Sequence, residues 1–253
     1  MPDPLPDPPP DAAPGAPTAE RSGESAASHG GALADPAYRE AVVDLLGVLA
    51  YGELIAFERL AEDSAMAPTL PDKVALASMA AAELGHFIQL RDRLTDIDAD
   101  AYVAMEPFRD TFDRWHANTA PRNWLESLIK AYVGDGLASD FYREIAAYLD
   151  EGTRVLIVDV LDASGHAEFV VDRVRAAIAA DPRVGGRLAL WGRRLVGEAL
   201  SQAHVVAAER DGLAALLAGG LDRPGMDLAA IGRMFVRLTE NHARRMARLG
   251  LSS

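Results

Sequence analysis

Apolar residues recur at three- and four-residue intervals through most of this chain, in long blocks separated by short breaks rich in glycine and proline, and that period predicts helices. No block alternates as a strand would. Residues 1–35 are mostly Pro, Ala, Gly, Ser and Asp, with little to bury, so they are expected to form a disordered tail. Asp35-Pro36 is an N-cap followed by proline in the first turn, and it opens a helix running to about Met66. Pro71-Asp72 opens a second, to about Leu94. Residues 95–120 lack one strong face. A third helix is predicted from near Pro121 to about Asp150, and a fourth from near Thr153 to just before Asp181-Pro182. Two more, about 183–218 and 226–249, flank Gly219-Gly220 and Pro224-Gly225. The pattern therefore predicts an all-α chain, with a four-helix bundle over 36–182 and two appended C-terminal helices over 183–253. Short links within each helix pair and a second-to-third link of about 25 residues fit a bundle with one long crossover.

Composition narrows the chemistry. A chain of 253 residues with 49% hydrophobic side chains can bury a large core in one domain. With no cysteine, disulfides, thiolate metal sites and cysteine nucleophiles are excluded, so any metal must be held by His, Asp or Glu. The N-terminus has neither a basic start nor an apolar core, and no uninterrupted apolar run reaches 18 residues. A cytoplasmic chain with no membrane span is expected.

The formal charge of −13 is unevenly spread. Residues 1–35 carry six acids against Arg21. Residues 183–253 carry eleven arginines against six acids, which leaves the acidity concentrated in the middle of the chain.

That middle contains an internal repeat. Gly52-Glu53 is followed by Glu58 and Glu62; Gly134-Asp135 is followed by Asp140 and Glu144, at the same offsets. GHFIQLRDRL from Gly85 matches GHAEFVVDRV from Gly165, aligning His86 with His166, Asp92 with Asp172 and Arg93 with Arg173. Glu58, Glu62, Asp140, Glu144, Asp92 and Arg93 are expected to be mostly solvated surface. Glu53, Asp135, His86 and His166 differ, because each sits beside a glycine in an apolar helical setting, where an ionised group is costly without a counter-charge. Glu83 and His86, three residues apart, project from one helix face and can reach one metal. An acid on the preceding helix combined with Glu-x-x-His, in duplicate, is the ligand plan of di-iron and di-manganese carboxylate bundles. The second copy is broken, since Ala163 stands where Glu83 stands in the first; Asp162, four residues before His166, is a candidate substitute. The candidate ligands are Glu53, Glu83, His86, Asp135, His166 and Asp162. Oxygen and imidazole donors suit iron, as two ions or one, or manganese. His29, His116, His204, His242 and Glu240 read as tail, structural or surface residues.

The fragments YGELIAFERLAED, MAAAELGHF, AYVGDGLASDFYREIA and SGHAEF resemble an actinobacterial family of ferritin-like proteins similar to the tRNA 2-methylthio-isopentenyladenosine hydroxylase, over roughly residues 36–215. The resemblance implies a ferritin-like bundle and a non-haem di-iron centre on Glu53, Glu83, His86, Asp135 and His166. It also implies O2-dependent hydroxylation of an isopentenyl group on tRNA. That activity needs an electron-donor protein and a phosphate-facing surface, for which the arginine-rich end offers Arg193, Arg194, Arg244 and Arg245. Two other readings stay open: a metal-binding oxidase or iron-handling protein without RNA, and a helical interaction module whose site has decayed.

Overall fold

Capping side chains start the main helices where the sequence signals lie. A computed structural model describes residues 31–162, 167–218 and 226–252, and none of these is in a strand. Helix α1, Pro36–Asp63, begins with the Asp35 carboxylate accepting from the Ala37 N–H. Its end tightens into a 3-10 turn, Ser64–Met66. Helix α2, Leu70–Asp96, begins with the Thr69 hydroxyl accepting from the Asp72 N–H. Nine buried apolar side chains from α1 and α2, among them Tyr38, Leu45, Leu46, Leu49, Leu90 and Leu94, anchor one half of the core.

The long crossover is itself helical. It holds α3, Ala101–Met105, and α4, Arg109–Asn118, joined by a 3-10 turn. Sequence periodicity misses both because each is too short to show a repeating stripe. Glycines let them approach the bundle. A Cβ on Gly47 would run into the Ala104 carbonyl of α3. Gly52 and Gly134, equivalent in the repeat, face Phe112 and Trp115 of α4, at 3.4 and 3.5 Å from where a Cβ would stand.

Helix α5, Trp124–Ala146, is capped by Asn123, which accepts from the N–H groups of Leu125 and Glu126. The fourth predicted helix is described in two parts, α6, Glu151–Asp162, and α7, Ala167–Ala180. The first C-terminal helix, expected to be continuous, breaks at Arg210 into α8, Arg183–Glu209, and α9, Asp211–Ala218. The reason is distant in sequence. Arg210 adopts φ −125°, ψ 86° and donates to the buried carboxylate of Asp44 on α1, while Gly212 brings α9 to 3.4 Å from the Ala41 Cα, measured from a Cβ built on the glycine. The last helix is α10, Leu228–Arg248, capped by Asp227.

The C-terminal helices complete the core. Leu195, Met246 and Leu249 are fully buried with Leu76, Leu128, Ile129, Val133 and Val174. Each such side chain stabilises by about 1.5–3 kcal/mol on burial, so α8 and α10 are integral to the folded bundle. Among the described residues no helix is long and apolar enough to cross a membrane.

Candidate metal centre

Three-residue spacing on α2 places Glu83 and His86 on one face, and the antiparallel packing of α1 brings Glu53 to them. His86 Nδ1 lies 3.4 Å from Glu53 Oε2 and 3.4 Å from Glu83 Oε2. The side chains are 7%, 15% and 14% exposed for His86, Glu53 and Glu83. One donor atom from each falls within 4.8 Å of the others, close enough for a shared ion.

Two carboxylates in so little water need a cation. In the protein alone His86 takes that part: its contacts with Glu53 and Glu83 push the imidazole well above its ordinary range, to about 10. Burial drives Glu53 the other way from an exposed acid, up towards the neutral form, with the His86 contact opposing it. A divalent ion would do the work of the imidazolium proton with more charge. The donor set therefore fits a hard cation, with Glu53, Glu83 and His86 as its ligands.

Asp135, on α5, lines the same space. Burial and the Glu83 charge raise its carboxyl to about 6, partly offset by Arg245, His86 and Arg143. It is not among the three donors that meet within 4.8 Å. Tyr142, about two turns further along α5, is buried, and burial together with the Glu53 charge lifts its phenol above the usual range. Ala163 and His166 lie outside the described residues, as does the side chain of Asp162. The second half of the predicted ligand set therefore has no position to compare.

The remaining repeat positions divide. Glu58, Glu62 and Asp92 are exposed, as expected. Asp140 is not surface: it is buried and paired with Arg245 at 2.5 Å. Glu144 is bound by Arg237 at 2.7 Å, and Arg93 turns inward to 3.7 Å from the buried Asp150. The asymmetry has a packing cause: α10 covers the α5 face that carries Asp140 and Glu144, while the matching face of α1 meets solvent. Of the basic candidates, Arg193, Arg194 and Arg244 are exposed, with Arg193 donating to the Ser252 carbonyl and Arg244 beside Glu240. Arg194 donates to the Asn118 carbonyl, and Arg245 is 15% exposed within its ion pair. His242 is buried and His204 stacks on Phe235.

Beside the cluster lies a cavity of about 350 Å³, walled by α1, α4, α5, α8 and α9 and largely apolar. Glu53, Glu83 and Asp135 face it together with Leu45, Phe112, Phe141 and Leu213. Arg59, Asp63, Trp115, His116 and Lys130 occupy one end of it; they come from three helices, so no sequence pattern marks them as a group.

A helical bundle with a buried Glu/Glu/His cluster against an apolar cavity defines a class, the ferritin-like bundles whose inward carboxylates and histidines can hold a metal. Over residues 36–220 the chain matches the family described as the ferritin-like domain of actinomycetes, and it belongs to that family. No curated protein matches the chain.

Proposed function

We propose that this protein is a ferritin-like metal-dependent oxidase acting on a small, mainly apolar substrate held in the cavity. The observation that carries the reading is the opening of the buried Glu53/Glu83/His86 cluster onto a largely apolar space of about 350 Å³, a size suited to small organic ligands. Glu53, Glu83 and His86 would hold iron or manganese, with Asp135 beside them. The metal would supply redox chemistry with O2, and electrons would come from a partner protein. The chain's own residues set the conditions: the carboxylates offset the ion's charge, the walls of Leu45, Phe112, Phe141 and Leu213 exclude water, and the buried Tyr142 hydroxyl stands close enough to Glu53 to feel its charge.

The tRNA hydroxylase reading is the second. The resemblance supports it, and an apolar cavity beside the cluster is where an isopentenyl group would go. Arg245 is withdrawn into its ion pair, and Arg193 and Arg194 each donate to a backbone carbonyl, which lowers its weight.

The test is metal content. Protein from iron-supplemented cells is expected to hold one or two irons per chain, and a Glu83→Ala, His86→Ala variant to hold none. A folded wild-type protein that takes up neither iron nor manganese sinks the proposal. Salt-sensitive retention of tRNA by the wild-type protein would move the weight to the second reading.

A further inference from the structure

The end of the cavity away from the carboxylate cluster has the opposite chemistry. Lysine occurs twice in the chain, and one of the two, Lys130, is 6% exposed. Its Nζ lies 4.8 Å from the centre of the Trp115 ring. Among the described residues it has no ion pair. Asp63 is the acid at this end, and burial raises its carboxyl to about 6. Arg59 spends its guanidinium outward, on Glu62 at 2.6 Å.

The residues beside Lys130 carry buried polar atoms without hydrogen-bond partners: Arg59 Nε and Trp115 Nε1, both donors, and His116 Nδ1; Gln202 Oε1, an acceptor, is another on the cavity wall. An ammonium buried without an ion pair is costly or gives up its proton, and burial, opposed by the Asp63 charge, lowers Lys130 to about 8. Three helices converge here on a surplus of unpaired donors, with Asp63 the acid among them. Such a surplus is costly in a structural core and useful where a ligand brings acceptors.

We propose that this end of the cavity receives the carboxylate of an amphiphilic organic acid, with Lys130 as its counter-ion, and that the apolar chain of that acid runs past the Glu53/Glu83/His86 cluster. The inference names a substrate class for the oxidase reading and rests on it only for what becomes of the ligand. Spacing sets the register. Lys130 precedes Asp135 by five residues on α5, about 7.5 Å along the helix axis. Asp63 follows Glu53 by ten residues on α1, about 15 Å. An acid anchored at Lys130 therefore presents its mid-chain carbons, rather than its carboxyl carbon, to the metal cluster.

The probe is octanoate, with 1-octanol as its neutral counterpart, titrated calorimetrically into the full-length protein. Octanoate is expected to bind at one site per chain and 1-octanol at least tenfold more weakly. Lys130→Met is expected to weaken octanoate at least tenfold and leave 1-octanol unchanged, while Lys130→Arg keeps most of the affinity. Equal binding of acid and alcohol, or octanoate affinity indifferent to Lys130→Met, overturns the proposal. Should Lys130→Met fail to fold, the wild-type protein decides: octanoate but not octanol should shift tryptophan fluorescence, and Trp115→Phe should remove the shift; a shift that survives Trp115→Phe, or none at all, overturns it. Metal content is read on the same samples. A wild-type protein that binds octanoate but takes up no metal fails the oxidase reading alone; one that takes up metal but does not bind octanoate fails this proposal alone.

Discussion

Arg245, on the last helix, sets its guanidinium 2.5 Å from the carboxylate of Asp140 on α5, with the two side chains 15% and 8% exposed. This pair ties α10 to the bundle at the point where Gly136 leaves room for the arginine stem. Removing one partner of a buried pair strands the other, at about 3–5 kcal/mol. Asp140→Ala is therefore expected to lower the thermal midpoint strongly, and Arg245→Met added to it to restore much of the loss. A small effect of the single substitution in thermal melting contradicts the structural role.

Metal binding should register as stability. A ligand that binds only the folded state stabilises by about 2.7 kcal/mol at a hundredfold excess over its Kd. The melting temperature of the metal-free protein should rise with added Fe(II) or Mn(II), and that of Glu83→Ala, His86→Ala should stay flat.

His116 gives a pH dependence of known sign. Burial, with the Lys130 and Arg59 charges, holds its imidazole down at about 3, against 6.5 ordinarily. The unfolded chain takes up a proton between these values that the folded chain refuses, so this contribution is complete above about pH 6.5 and is lost as pH falls towards 3. Asp63, raised to about 6 mainly by burial, works oppositely: its contribution is present at low pH and lost as pH rises through 6. The difference between wild type and His116→Phe isolates the histidine. Urea midpoints at pH 7 and pH 5 should show a smaller acid loss in His116→Phe.

Two glycines should respond in opposite directions. At Gly134 an added Cβ meets Trp115 at ordinary contact distance, so Gly134→Ala should hold or raise stability, by up to about 1 kcal/mol from helix propensity. At Gly47 it meets the backbone carbonyl of Ala104, which cannot swing aside, so Gly47→Ala should destabilise by about 1–3 kcal/mol. Chemical denaturation of the two variants side by side checks both.

The start of α1 was legible at Asp35-Pro36, and those of α2 and α5 to within a few residues, because their causes are local. Asp35, Thr69 and Asn123 each cap a helix through N–H groups two or three residues away. Glu83 and His86 were legible for the same reason, since i and i+3 share a face on any helix. The break at Arg210 was not: it depends on Asp44, 166 residues earlier, and the periodicity on either side continues without a signal. Nor was the cavity's cationic end, where Arg59, His116 and Lys130 stand on three helices that no pattern in the chain relates.

The repeat shows where the boundary falls. Sequence alone determined that acids recur at matching offsets from Gly52 and Gly134, and that Glu83 and His86 could share an ion. Only the tertiary structure decided that Glu58 meets solvent while Asp140, its repeat partner, is buried against Arg245. The two positions are alike within their own helices. What separates them is the arrival of α10 on one face and water on the other, and desolvation is a property of what packs from outside the segment.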